Sequence, residues 1–553
     1  ILYAHPKWFF VDENSKKKYF SLISFISFNQ CFIGVKKIKR NCCVFSILYF
    51  LLILTLFIDF TDLIPEKIYD SVLFLQFVPS LLTLVNIFTI GGIGFLIIII
   101  LNIFFGRVYC SFICPLGILQ DIFSYLSKKL RRLKRYRYAY IKLFRWIRYS
   151  FLGIFVLGLI SGVTVLISFL DPYNIFGRIA SGLIRPGVIE GNNLLASVLQ
   201  KFDIYTFYVV DLKPQHWQVI IVSAFFLLLI LLFFVFKGRL YCNTICPVGT
   251  LLGFSSRFSV FKIHINKNTC TNCKLCEKVC KAGCINISEQ NIEFDRCVNC
   301  FNCLTVCPVD SIQYSFAKKI TKQESPVPSE QNPNNRRQFF ALLALIFAAG
   351  KTRSQNIEVH DTATFPAKRT VAVSPPGSAS IEHFNSGCTA CHLCVSACPT
   401  HVLQPAYTDY GLVGFMQPVM DNHAGFCNFD CIKCGEVCPT GAIQLLDLEK
   451  KRQTQIGIAQ FVKQNCIVET EGTNCGACAE HCPTKAVRMV PYHGSLVIPE
   501  VTDNICIGCG ACEYACPTTP YKAIYVEGNA THQWAQKPEE KEQEREVEDD
   551  FPF

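Results

Sequence analysis

Methionine is nearly absent. The 553-residue chain has three, and the first is Met416. The true start is therefore expected either to be missing or not to be encoded by ATG, and residues 1–34 are left as an uncertain N-terminal segment. Charged residues are also scarce, at 17% against about a quarter in an ordinary soluble protein. No glycine-rich dinucleotide fingerprint opens a helix, no P-loop is present, and no nucleophile–base pair stands out. Nothing in the cysteine-rich parts reads as a substrate pocket. The eleven histidines all lie outside the four long apolar runs, so a bis-histidine haem in a membrane is not expected. The net charge of +11 does not point to nucleic acid, because its densest basic run, 128–148, lies between two apolar runs.

Cysteine is what the chain has in excess, with 32 residues. All but Cys31, Cys42, Cys43 and Cys284 fall in short regular runs, most of them ending in Cys-Pro. Such spacing reads as metal ligation rather than disulfide scaffolding.

Hydrophobic residues make up 51% of the chain. Four uncharged runs are long enough to cross a bilayer: Cys42–Ile58, Ser71–Phe105, Tyr149–Leu170 and Val219–Phe236. The expected fold is multi-domain: an α-helical membrane bundle of four spans over 35–260, plus small α+β bacterial ferredoxin-like domains. Basic residues precede the first run and follow the second. Acidic residues follow the first, and the stretch Asp171–Trp217 reads as a sparsely charged loop. The positive-inside rule then puts the N-terminal side, the 106–148 loop and the chain after Phe236 in the cytoplasm.

One phrase occurs twice. Residues 106–117 read GRVYCSFICPLG and residues 238–249 read GRLYCNTICPVG, each after a pair of apolar runs. The repeat brings Cys110, Cys114, Cys242 and Cys246 to one membrane surface, with an axis of pseudo-symmetry expected between the copies. These four are redox candidates. A metal cluster, a redox disulfide and simple buried packing all remain open for them.

Residues 270–307 contain C-x2-C-x2-C-x3-C twice, expected to form a two-cluster ferredoxin domain over 261–318. Three closely spaced thiolates wrap one iron–sulfur cubane, and the fourth reaches across to the other. Cys270, Cys273, Cys276 and Cys307 are assigned to one [4Fe–4S] cluster, and Cys297, Cys300, Cys303 and Cys280 to a second. Zinc prefers paired C-x2-C units, so the third cysteine argues against it. Cys280 departs from the pattern, since Lys281 and not proline follows it, and Cys284 is a spare thiol.

Four further quartets occupy a polyferredoxin domain over 380–528: Cys388, Cys391, Cys394, Cys398; Cys427, Cys431, Cys434, Cys438; Cys466, Cys475, Cys478, Cys482; and Cys506, Cys509, Cys512, Cys516. Their cross-pairing joins either neighbouring runs or nested ones, and the sequence does not choose. About six [4Fe–4S] clusters are expected in all. Between the two cysteine-rich parts lie a linker, 319–335, and a twin-arginine segment, 336–355, whose short apolar core reads as an internal Tat-like signal. That signal would export residues 355–553. An acidic tail, 529–553, is expected to be disordered.

These motifs carry a resemblance. Residues 35–315, with doubled C-x3-C-P motifs and a two-cluster ferredoxin, look like the NapH-type membrane component of quinol dehydrogenases. Residues 335–528 look like the NapG-type exported four-cluster ferredoxin, although the second and third quartets have a stretched first gap. The chain resembles a fusion of the two, of the kind seen in Bacteroidetes-type bacteria. The resemblance implies an electron carrier in the bacterial inner membrane, passing electrons between menaquinone and a redox partner protein. Two other classes compete with it. One is a reductive maturation factor for a respiratory metalloenzyme, using the four phrase cysteines. The other is a non-catalytic anchor for a soluble reductase.

Overall fold

The computed structural model describes residues 35–59, 64–87, 92–130, 138–142, 144–210, 217–316 and 369–537. The uncertain N-terminal segment, the 319–335 linker, the Tat-like segment and most of the acidic tail lie outside these residues.

The helical body opens with α1 (Val35–Ile58), α2 (Glu66–Leu73), α3 (Phe77–Ile87) and α4 (Ile93–Phe105). The first phrase follows as α5 (Tyr109–Phe112) and α6 (Pro115–Leu130). A second round comprises α7 (Arg145–Ser161), α8 (Thr164–Leu170), α9 (Pro172–Ile179), a π-helical turn (Ala180–Ile184), α10 (Arg185–Gln200) and α11 (Trp217–Lys237). The second phrase closes it as α12 (Leu240–Thr244) and α13 (Pro247–Ser256).

Among the described residues a bundle of four continuous spans is not shown. Among the described residues one helix, Lys39–Ile58, is by itself long and apolar enough to cross a membrane. The run Ser71–Phe105 is bent by 100° between Lys67–Leu73 and Phe77–Val85, and Ile93–Phe105 and Trp217–Phe233 are shorter apolar helices. Polar side chains explain the bend. Gln76 donates to Tyr49 Oη (3.1 Å), and Tyr109 Oη accepts from the Phe77 amide (3.2 Å), so the turn is held by side chains of two other elements. The run Tyr149–Leu170 likewise breaks at Gly162, which is left-handed at φ 70°. The segment after Asp171 is not a loop. Asp171 caps α9 by accepting from the Asn174 amide (3.1 Å), and every residue of α9 is buried.

Two cysteine-rich modules dock on this body. The first carries β1 (Phe261–Ile265), β2 (Ile285–Asn286), β3 (Asn291–Ile292) and β4 (Ile312–Phe316), with β1 antiparallel to β4 and β2 to β3. Tyr314 Oη and Asn299 bond the Phe105 carbonyl at the end of α4. Asp295 receives both Arg148 (3.1 Å) and Arg257 (3.0 Å) from the body.

The second module carries β5 (Leu403–Pro405), β6 (Pro418–Met420), β7 (Thr454–Phe461), β8 (Val487–Pro491), β9 (Val497–Val501) and β10 (Ile524–Trp534). β5 pairs with β6, β8 with β9 and β10 with β7, all antiparallel. Ordered structure thus begins before residue 380 and runs past 528: Val373, Ser374 and Ser378 are buried, and β10 continues to Trp534. The module meets a different part of the body. Thr164 donates to the Asn385 carbonyl (2.6 Å), Thr83 to Pro439 (2.9 Å) and Arg178 Nε to Ala390 (3.1 Å).

Arg148 is almost wholly buried and Asp295 is its ion-pair partner, whereas Asp295 keeps Arg257 if Arg148 is lost. Asp295→Asn should therefore cost about 3 kcal/mol of stability by stranding the Arg148 charge, partly recovered by adding Arg148→Met, as read from thermal unfolding.

Candidate functional site: six cysteine cradles and a buried cysteine quartet

The two phrases meet through crossed arginines. Arg107 of the first donates to the Cys242 carbonyl of the second (3.1 Å) and to Asn243 Oδ1 (2.8 Å). Arg239, at the matching position of the second, donates to the Cys110 carbonyl of the first (2.7 Å) and to Ser111 Oγ (3.3 Å). Both arginines are fully buried. Gly117 and Gly249 allow the close approach: a Cβ on either would strike the carbonyl of Cys110 or Cys242. The four cysteines are 4–5% exposed. They lie close enough for the charges of Cys242, Cys110 and Cys114 all to reach Cys246. The Gly249 amide donates to Cys246 Sγ (3.3 Å), and the Gly117 amide serves Cys114 in the same way. The two phrases thus make reciprocal contacts, with the four cysteines buried beside them. The quartet is not at the surface of the body but inside it, level with Tyr49 in mid-α1, because Tyr109 reaches inward to the α2–α3 bend.

The phrases also touch the first module. Ser111 donates to the Val298 carbonyl (2.6 Å) and Asn243 to the Ala282 carbonyl (3.1 Å). Both acceptors belong to loops of the second assigned cluster. Cys280, Cys297, Cys300 and Cys303 line one cavity, as the spacing predicts. Cys284 lines it too, with its sulfur 3.6 Å from Cys280. The spare thiol is thus a fifth sulfur facing this cradle. The contact between the two sulfurs holds the Cys280 thiol down and pushes that of Cys284 up. Of the other cradle's cysteines, Cys273 is exposed, Cys270 and Cys307 are half-buried and Cys276 is buried.

In the second module the pairing joins neighbours. Cys398 lines one cavity with Cys427, Cys431 and Cys434. The charge of Cys438 reaches Cys388, Cys391 and Cys394. Cys516 lines a cavity with Cys466, Cys475 and Cys478. Cys482 is grouped with Cys506, Cys509 and Cys512. The two halves are joined by the Cys427 amide donating to the Cys509 carbonyl (2.9 Å).

This donor chemistry fits iron–sulfur clusters. Among the described residues no three His, Cys, Asp or Glu side chains converge on a single-ion site. The thiols instead ring cavities, which argues for a polynuclear cofactor over zinc. Burial pushes Cys303, Cys394, Cys434 and Cys512 well above the usual thiol range. Holding them as thiolates therefore needs a strong Lewis acid in the cradle.

One recurrent feature escaped the spacing analysis. Each run of the second module ends in Cys-Pro-Thr, and the threonine hydroxyl sits on the cysteine sulfur. The distances are 3.6 Å for Thr400, 3.9 Å for Thr440, 3.7 Å for Thr484 and 3.1 Å for Thr518. In the first module Ser311 does the same for Cys307 (3.1 Å). The signal was legible as a repeated tripeptide. Hydrogen bonds to sulfur set cluster potentials.

Comparison with known proteins agrees with the cradles. A family described as "4Fe-4S binding domain" matches residues 87–134 and 219–266, the two phrases with their flanking helices. A "4Fe-4S dicluster domain" matches 471–523, and another "4Fe-4S binding domain" matches 267–283 and 385–408. The chain is 32% identical over 180 residues to the methylamine utilization ferredoxin-type protein MauM of Methylobacillus flagellatus, covering 31% of this chain and 71% of that protein. It is 27% identical over 141 residues to the ferredoxin-type protein NapF of Escherichia coli, covering 26% of this chain and 77% of that protein. It is 30% identical over 113 residues to NapG of the same bacterium, covering 20% of this chain and 48% of that protein.

Two outcomes are expected. Thr400→Val removes a donor to Cys398 and should lower the reduction potential of one cluster, the one ringed by Cys427, Cys431 and Cys434, in an EPR-monitored redox titration. His532 is held down to about 4 by burial, with Nε2 on Ser374 Oγ (2.8 Å). It stays neutral in the fold while its unfolded counterpart protonates below about 6.5. Stability should therefore fall by about 1.4 kcal/mol per pH unit between roughly pH 6 and pH 4, and His532→Gln should remove that share of the slope in thermal melts.

Proposed function

The chain belongs to the ferredoxin-type iron–sulfur protein family of MauM, and from that premise we propose that it is a membrane-anchored carrier relaying electrons between menaquinol and a redox partner protein. Iron–sulfur electron transfer itself follows from the family and the repeated 4Fe-4S domains. The remaining elements are our reading: about six clusters in the cradles, a multi-pass body in the bacterial inner membrane, and a likeness to a NapH-type component joined to a NapG-type one. So is export of the second module by the Tat-like segment.

The observation that carries the membrane reading is where apolar side chains are exposed. Val44, Leu48 and Leu51 on α1, Ile100 on α4, and Ile221 and Leu228 on α11 all face outward, beside a fully buried sulfur quartet. A water-soluble surface of that kind would aggregate, whereas lipid covers it without cost. A lipid-soluble quinol would approach along the same belt.

Each [4Fe–4S] cluster, when bound, accepts and returns one electron. The cysteines hold it, their burial excludes water, and the hydroxyls on sulfur set how readily it is reduced. The phrase cysteines match a 4Fe-4S binding family and are the candidates to hold a further cluster between the two halves of the body.

The test is anaerobic. A menaquinol analogue added to membranes carrying the loaded protein should bleach cluster absorbance and raise reduced-cluster EPR signals. The Cys110→Ser/Cys242→Ser variant should lose at least tenfold in that rate while its other clusters still reduce with dithionite. Clusters that stay oxidised with quinol yet reduce with dithionite would defeat the reading.

A further inference from the structure

Helix α1 serves as a ruler through the molecule. Near its start Lys39 donates to Thr305 Oγ1 (3.3 Å), between Cys303 and Cys307 of the first module. At its middle Tyr49 accepts from Gln76 beside Tyr109, and the charge of Cys114 reaches it. Near its end the Phe57 ring packs on Tyr173 (6.0 Å between centroids). There it also borders Gly177, whose bare Cα faces the Cys391 carbonyl of the second module. Lys39 and Tyr49 are about 15 Å apart along the axis, and Tyr49 and Phe57 about 12 Å. The sulfur groups therefore lie in three tiers, one module at each end and the quartet between them.

Buried groups fill both intervals. Arg239 lies within reach of Cys242 on one side and Cys300 on the other. The charge of Asp171 reaches Cys114 in one direction and Cys391 in the other. Tyr241, from the second phrase, donates to the Leu170 carbonyl (2.9 Å) next to that aspartate. Electron tunnelling falls off exponentially with distance through packed matter, so a middle tier converts one long jump into two short ones.

We propose that this protein conducts electrons across the membrane, with its two modules on opposite faces and the Cys110–Cys114–Cys242–Cys246 tier as the stepping point. The inference rests on the helical body being membrane-embedded. A relay serving one face would need no second docked module at the far end of α1. Each passage oxidises a one-electron donor at residues 261–316 and reduces a one-electron acceptor at residues 369–537. No bond forms or breaks, and an ion must move to balance the transferred charge.

The test uses the full, cluster-loaded chain in sealed vesicles with ferricyanide trapped inside and dithionite outside. Protein-free vesicles set the leak. Ferricyanide should bleach faster than the leak, and faster again when potassium and valinomycin relieve the charge build-up. Cys110→Ser/Cys242→Ser should slow bleaching at least tenfold, while iron content and dithionite-reduced EPR show both modules still loaded. A second measurement needs no variant: a membrane-impermeant paramagnetic relaxant, added outside vesicles of one orientation, should broaden the signals of one module only. Broadening of both modules from one side, or wild-type bleaching by the double variant, overturns the conduit. If both modules are broadened yet menaquinol still reduces the clusters, the conduit alone fails. If bleaching crosses the membrane but menaquinol reduces nothing, the quinol reading alone fails.

Discussion

Two guanidinium groups exchanged between sequence repeats hold this molecule together. Arg107 and Arg239 each reach out of their own phrase to bond the backbone of the other. A buried arginine is expensive unless its donors are satisfied; the terminal nitrogens of Arg107 find carbonyl oxygens, and Arg239 finds carbonyls and a carboxylate. Arg239 also takes Asp121 (2.7 Å), which in turn holds Lys281 of the first module (3.0 Å). The crossing thereby fixes the sulfur quartet, the relation between the halves of the body, and the seat of the module below.

The cysteine cradles were readable from spacing because a cubane imposes its corner-to-corner reach on the chain. The assignment of Cys280 to the Cys297 run matches the cavity that holds both. The choice between neighbouring and nested runs in the second module was not readable. It depends on β7 pairing with β10, a contact about 70 residues apart that no local pattern encodes. The place of Cys284 was hidden for a similar reason. An isolated thiol gives no periodic signal, and only the turn after Cys280 brings it inward.

The helical body was read least well. Hydropathy reports how apolar a stretch is, not whether it runs straight. Ser71–Phe105 bends where Tyr49 donates to the Val72 carbonyl and Tyr109 accepts from the Phe77 amide, and both tyrosines come from outside the run. Asp171–Trp217 reads as a sparsely charged loop between two apolar runs, yet polar and charged side chains in such a stretch can be buried. Asp171, Asn174 and Arg178 are polar and almost wholly enclosed, and a pattern search counts them as surface.

The exchange of fourth ligands between runs has a consequence for biosynthesis. Cys398 completes a ring whose other members are 427, 431 and 434, and the cradle of Cys388 waits in turn for Cys438. Neither ring can close until the ribosome has made both runs, so the two must mature as one event. The central quartet is the extreme case. Its halves are 132 residues apart, and Cys110 and Cys114 stand half-built while the whole second round of helices is made. A chain stalled or cut in that interval would present reactive sulfur without a partner, and quality control would have a chemical mark to recognise.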